Sequence, residues 1–470
     1  MAHRGFNWKF VIVLFLALGV LGVTAYALRQ WNRSRRAVES LELGTKMYDE
    51  GNWEQAAQHL GRCAAAMPDN IPILMKYAQA QLNIRPVKPG AFQQAVGAYR
   101  QVLRVDKNHT EAAEKLIDLY LQNAPSEAEF IAREVLKDQE AAGFRRRLAL
   151  ALLQQRKFPE AAAELTAIIE KYPQEIPAYE MMGQLARQRP QEVTTPAETW
   201  YQDAVRNNPD SPSAYIIRAS YYRQQQELDK ARADLAQAQT LGLTDPQAKQ
   251  RLIQEYIALN ELEKAKVLLT ALQAENPKDL EVWVLWAQYA RGSGSSEEMA
   301  RIAREGAESL GSLKWDFLPM AIELLFQADQ REAAAQYMEM LREKEMFPAF
   351  LAYFDGINAS LQNQDYQAIQ SWQKALQLGN TSAPLRLQLA DTLERVGNLP
   401  DALQQLRTLA ADQPDSYLAR WRYAQMLTRA GKWSEAAEQV QAAQQLNPAG
   451  LDAALLNIQI KMQLLQQSDL

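Results

Sequence analysis

The sequence predicts an all-α protein: an α-solenoid of about twelve helix-turn-helix units, preceded by a single transmembrane helix. Three observations carry this. The phrase GNWEQAA at residues 51–57 returns nearly unchanged as GKWSEAA at 431–437. Small and apolar residues recur between them with a period near 34 residues, the mark of a stacked repeat array. Ahead of the array, Phe10 to Leu28 is an uncharged run of 19 residues.

Composition agrees. Ala, Gln, Leu and Glu dominate, and 20 Gly and 20 Pro in 470 residues are too few for an all-β or low-complexity chain. Single cores stop growing near ~250–300 residues, so a chain of this length is either several domains or one elongated array. One cysteine, Cys63, excludes an internal disulfide and leaves the redox compartment open.

Residues 1–9 form a short tail. The run 10–28 is long enough for a helix to cross most of a ~30 Å hydrocarbon core, and Trp8, Tyr26 and Trp31 stand at its ends, where amphipathic rings favour the headgroup layer. Phe10 and Leu28 bound this membrane anchor. A cleaved signal peptide, with AYA at 25–27 as its cleavage site, would instead release a secreted soluble protein. The basic segment 29–36 favours the anchor, because Arg29, Arg33, Arg35 and Arg36 oppose translocation and suit anionic headgroups. The expected location is a cytoplasmic membrane, crossed once. Positive charges on the two sides compare as about three to four, a slight lean to a cytoplasmic body over a periplasmic one.

Residues 37–449 hold the array. Gly44, Ala56, Cys63 and Pro68 are spaced as Ala424, Ala436, Ala443 and Pro448 are. Between them the ruler passes through Ala149, Ala161 and Ile168, then Ala219 and Ala231, Ile253 and Ala265, Ala287 and Met299, Ala321 and Ala333, Gly356 and Ala368, and Ala390 and Ala402. From Ala219 to Ala424 the steps are 34, 34, 34, 35, 34 and 34 residues. Small residues let two helices cross closely, while Trp53, Phe158, Tyr366 and Trp433 stand where an aromatic can seal the turn. Prolines such as Pro173 and Pro277 end the second helix, for want of an N–H. IRPVKPG (84–90) lengthens the second unit, QRPQEVTTP (188–196) lengthens the fifth, and the third is short. Residues 450–470 read as a capping helix and tail.

This pattern resembles the tetratricopeptide repeat. The resemblance implies units of two antiparallel helices, A and B, stacked into a right-handed superhelix whose concave groove is lined by helix A. It also resembles bacterial envelope proteins with one N-terminal anchor before such repeats, implying a bacterial cytoplasmic membrane as its location and a role in envelope assembly or export.

Chemistry is sparse. Repeats occupy almost the whole chain and leave no room for a catalytic domain, so an enzyme is not expected, and neither is a cofactor. GSGSS (292–296) lacks the strand, spacing and Lys of a phosphate loop. His59 and His109 fall in different units with no metal-ligand spacing, and Cys63 sits at a packing position. Six bases and no acid lie within residues 1–36, leaving 45 bases against 56 acids beyond, which argues against nucleic acid.

A protein partner, as a peptide or helix in the concave groove, is the expected ligand. Groove positions in mid-chain are polar, including Gln184, Arg187, Ser220, Arg223, Gln250, Gln254, Gln288 and Arg291. Two later units place Trp315, Leu318, Ile322 and Leu325, then Phe350, Tyr353 and Ile357, where solvent-facing residues belong. An apolar stretch there marks a partner site, with Arg187, Arg223 and Arg291 contacting its polar or acidic portion. A register shift that buries these residues is the alternative. The Lys and Asn pattern of chaperone-tail-binding members is missing: Glu180 with Gln184, and Val284 with Gln288, stand there instead. Polysaccharide is a further possible ligand, through stacking on Trp315, Trp372 or Trp421, although Trp372 falls on a core position.

Overall fold

The structure, a computed structural model, describes residues 39–468. Twelve helical hairpins and a closing helix run through them. The hairpins are α1 (39–49) with α2 (Trp53–Ala66), α3 (Ile71–Asn83) with α4 (Ala91–Val105), α5 (Thr110–Asn123) with α6 (Pro125–Asp138), and α7 (Ala142–Gln154) with α8 (Phe158–Lys171). Next come α9 (Ile176–Gln188) with α10 (Ala197–Asn207), α11 (Pro212–Gln224) with α12 (Leu228–Leu241), α13 (Pro246–Ala258) with α14 (Leu262–Glu275), and α15 (Leu280–Ser293) with α16 (Ser296–Ser309). Last are α17 (Lys314–Gln327) with α18 (Arg331–Glu343), α19 (Pro348–Leu361) with α20 (Asp365–Gln377), α21 (Ala383–Arg395) with α22 (Leu399–Asp412), α23 (Tyr417–Arg429) with α24 (Trp433–Leu446), and the closing α25 (Leu451–Ser468). Odd-numbered helices are the A helices, and even ones up to α24 the B helices.

The chain divides into two compact bodies at Leu324 and Leu325, within α17. Among the described residues no helix is long and apolar enough to cross a membrane. The expected anchor at 10–28 and the basic segment 29–36 lie outside the described residues.

Packing follows the 34-residue ruler. Ala56, Cys63, Ala161, Ala219, Ala231, Ala265, Ala287, Ala402, Ala424 and Ala436 are fully buried. The reason for small residues is direct at three glycines. A Cβ on Gly183 would stand 2.5 Å from the Tyr201 ring, one on Gly306 2.4 Å from Phe317, and one on Gly356 2.4 Å from the Trp372 indole. Each glycine lets a large aromatic of the neighbouring helix lie against backbone. In the ninth hairpin the ruler slips by one residue: Ala334 is fully buried, whereas Ala333 is half-buried. A chain segment that takes 35 residues where its neighbours take 34 cannot keep every contact at the same spacing.

The turn inside each hairpin also recurs. Gly51, Arg156, Gln226, Asn260, Gly294, Asp329, Asn363, Gly397 and Gly431 all have φ between 55° and 80°, a left-handed residue that ends helix A and reverses the chain. Gly51 N–H donates to Tyr48 O and Asn52 N–H to Met47 O, and the pattern repeats as Gly431 to Thr428 and Lys432 to Leu427. The second, third and fifth hairpins depart from it. Their links are the segments 84–90, Ala124 alone, and 189–196, so the irregular spacings in the sequence are irregular turns.

Trp53 seals its turn as expected, edge-on to Tyr48 with ring centroids 5.3 Å apart. Tyr366 does not, being 73 % exposed. His109 is a helix cap, its Nδ1 accepting from the Ala112 N–H at 3.1 Å at the start of α5.

Candidate partner-binding groove

The A helices form the inner layer of the N-terminal body. Glu180 on α9 reaches Arg251 on α13 at 2.5 Å, passing over the whole sixth hairpin. Such a contact between alternate repeats closes only on the inside of a curved stack. On the B-helix side, ion pairs among the described residues join neighbouring hairpins: Arg133 with Glu160, Arg232 with Glu261 at the start of α14, and Lys266 with Glu298.

Charge on this inner face is largely matched within the protein. Arg223 on α11 makes a two-pronged bond to Glu255 on α13, with Nε to Oε2 at 2.7 Å; that carboxylate raises the pKa of Arg223. Arg291 on α15 binds Glu323 on α17 at 2.5 Å. Arg147 on α7 takes both Glu114 and Asp118 of α5, at 3.0 and 2.7 Å. The expectation that Arg223 and Arg291 await an acidic partner is therefore corrected, because each already neutralises a glutamate of the next hairpin. Arg187 is exposed and hydrogen-bonded to Gln224, a neutral amide, so it keeps an uncompensated charge. Gln184 and Gln254 stand exposed on the same layer.

The apolar set is corrected more strongly. Leu318, Ile322 and Leu325 are each 0 % exposed. Phe317, Leu318, Ala321, Ile322, Leu324 and Leu325 are all buried, and at about 100° per residue they cover roughly 160° of the α17 circumference. These positions flank the small crossing residue Ala321. In the preceding hairpin the matching Gln288 and Arg291 are half-buried, since long polar side chains can lean to the rim. Branched apolar side chains at the same places turn inward. Trp315, at the start of α17, stays half-buried with the Lys314 ammonium 4.9 Å from its ring centre.

In the C-terminal body, Phe350, Tyr353 and Ile357 on α19 are half-buried. Tyr353 and Ile357 pack against the core, and the Phe350 ring lies 4.6 Å from that of Phe354. They are edges of a core. Trp372 is fully buried and its Nε1–H donates to Tyr353 O at 3.1 Å, which removes it as a sugar-stacking surface. Between α22, α23 and the start of α24 this body holds a cleft of about 780 Å³, lined by Leu403, Arg407, Tyr423, Leu427 and Lys432. Nothing in the repeat pattern pointed to it.

Among the described residues no three His, Cys, Asp or Glu side chains gather as a metal site. Cys63 is buried, and burial pushes its thiol pKa up, the opposite of what a nucleophile needs.

Fold and groove define a class: a helical-repeat protein whose A helices form an inner layer in the N-terminal body. A family model, the tetratricopeptide repeat, matches residues 125–176, 197–246 and 387–450, and those stretches carry tetratricopeptide repeats. No curated protein matches it. Among solved structures it is similar to yeast Tom70, at 13 % identity over 93 % of this chain and 97 % of that one, with a TM-score of 0.47. It is also similar to the P58(IPK) TPR domain, at 15 % identity over 92 % and 99 % with a TM-score of 0.29. A tetratricopeptide repeat protein from Parabacteroides merdae follows, at 16 % over 63 % and 98 % with a TM-score of 0.33. At these values the likenesses say nothing of partner or activity.

Proposed function

We propose that this protein is a membrane-anchored scaffold that holds a protein partner on the inner face of its A helices, in envelope assembly or export. The observation that carries this reading is the chemistry of that face in the N-terminal body. Its ionic groups are mostly paired with each other, while Gln184, Gln254 and the charged Arg187 remain exposed. Carboxamides both donate and accept, so such a face suits the peptide groups of a polypeptide. Association through it depends little on salt. Trp315 supplies a half-buried aromatic at the end of the same layer.

Anchoring rests on the sequence alone, on the uncharged run from Phe10 to Leu28 and the arginines after it. Protease treatment of intact spheroplasts tests the side: a cytoplasmic body survives, and digestion from outside places it in the periplasm.

Photo-crosslinking amino acids at Gln184, Gln254 and Trp315, with Val267 on α14 as a control that is 70 % exposed, test the groove in native membranes. The groove positions are expected to capture one common protein that Val267 misses. Equal capture at Val267, or none at the groove positions, overturns the reading.

A further inference from the structure

The insertion IRPVKPG has no place in the 34-residue repeat, yet it is firmly built. Ile84 is 5 % exposed and belongs to the core cluster with Ala56, Leu60 and Ala80. Lys88 is ion-paired with Glu54 on α2. Between these two footings stands Arg85, whose Nη1 donates to Leu82 O at 2.8 Å and Ile84 O at 3.0 Å. Those carbonyls lie at the end of α3, where the helix dipole favours a cation. The guanidinium is thereby aimed before it meets any partner.

Its partner is distant in sequence. Arg85 Nε donates to Asp316 Oδ2 at 2.5 Å, across 231 residues. Asp316 lies in the first turn of α17, where the helix dipole favours an anion. The contact therefore joins the negative end of one A helix, through a cation and an anion, to the positive end of another seven hairpins later. Both side chains are three-quarters covered, at 21 % and 25 % exposure. All of it lies inside the N-terminal body.

We propose that residues 84–90 are a strap: through Arg85 and Asp316 they close the inner face of the N-terminal body on itself, and a polypeptide reaches that face only when this pair opens. The proposal rests on the groove reading for the identity of the occupant, whereas its closure is a property of the chain alone. An insertion in the second hairpin that reaches the ninth does what a regular 34-residue unit does not, because a regular turn is too short to leave its own hairpin.

The test uses the full chain with Cys63→Ala, spin labels on cysteines at Val87 and Ser312, and no partner. The parent is expected to give one short distance. Arg85→Ala and Asp316→Ala should each add a longer population, and the double variant should match either single one, as for two halves of one interaction. An unchanged distance, or effects that add, overturns the strap. Access is read separately, as the rate at which a cysteine at Gln254 reacts with a polymer-linked maleimide relative to a small one. Opening should raise that ratio by about threefold, the population shift that a pair of this exposure supports. A ratio that stays flat while the distance lengthens overturns control of access. Far-UV circular dichroism identical to the parent keeps unfolding out of each comparison. Failure of the groove crosslinking would leave both of these measurements standing, so the two ideas fail separately.

Discussion

Single residues in this protein are constrained by what lies one helix away. Gly356 is the clearest case, since a methyl there would press on the Trp372 indole whose N–H is already committed to Tyr353 O. Gly356→Ala should cost about 1–3 kcal/mol by overpacking, read as a lowered urea midpoint. Backbone constraint appears at Asn260, held at φ 58° in the turn of the seventh hairpin. Asn260→Val should fall about 1–2 kcal/mol below Asn260→Gly in the same measurement, because a β-branched residue pays the full left-handed penalty. The recurrence of small residues and turns was legible in the sequence because each depends on local spacing. The fate of Leu318 and Ile322 was not: a position flanking a helix crossing is outward for a long polar side chain and inward for a branched apolar one.

Between elements, ionic bridges do much of the positioning. Glu129 on α6, 13 % exposed, accepts from Arg133 on its own helix, from Gln155 in the turn after α7 and from Lys157 at the start of α8. Burial by itself would raise its pKa, but hydrogen bonds from Lys157, Arg133 and Gln155 outweigh it and hold the carboxyl at about 2. Because the folded value is below the ordinary 4.5, the stabilisation is complete above that pH and is lost as pH falls toward 2. Glu129→Gln should therefore be the less stable protein at pH 6. Its stability should converge on that of the parent between about pH 4.5 and 2, seen in urea titrations across that range. Acid-base partners such as these were invisible in sequence, since pairing between hairpins leaves no fixed offset: Arg223 finds Glu255 in the next hairpin at 32 residues, Arg147 finds Asp118 in the previous one at 29, and Arg251 finds Glu180 two hairpins back at 71.

At the scale of the whole molecule, hairpins touch chiefly their neighbours, so stability is expected to be regional rather than all-or-none. Ala231 is fully buried at a crossing in the sixth hairpin. Ala231→Leu should speed amide hydrogen exchange in α9 to α14 and leave α21 to α24 at their original rates. Uniform acceleration across the chain would show instead a single cooperative fold. Glu180 with Arg251 skips one hairpin and the strap skips many more; loss of the strap should loosen the ends of the N-terminal body without slowing or speeding exchange in the C-terminal one.

The sequence by itself determined the number of hairpins, the residues at most of their crossings and the three units that depart from the rule, because every one of these is set by contacts within some 34 residues; at the ninth hairpin the crossing fell to Ala334 and not to Ala333. It also marked Phe10 to Leu28 as a candidate anchor through length and lack of charge. Only the tertiary structure decided which groove charges are already satisfied, which apolar residues of α17 turn inward, and that Arg85 meets Asp316. Those outcomes depend on how small rotations between successive hairpins accumulate. A helical period records a single step of that rotation, and the sum over seven steps is written only in three dimensions.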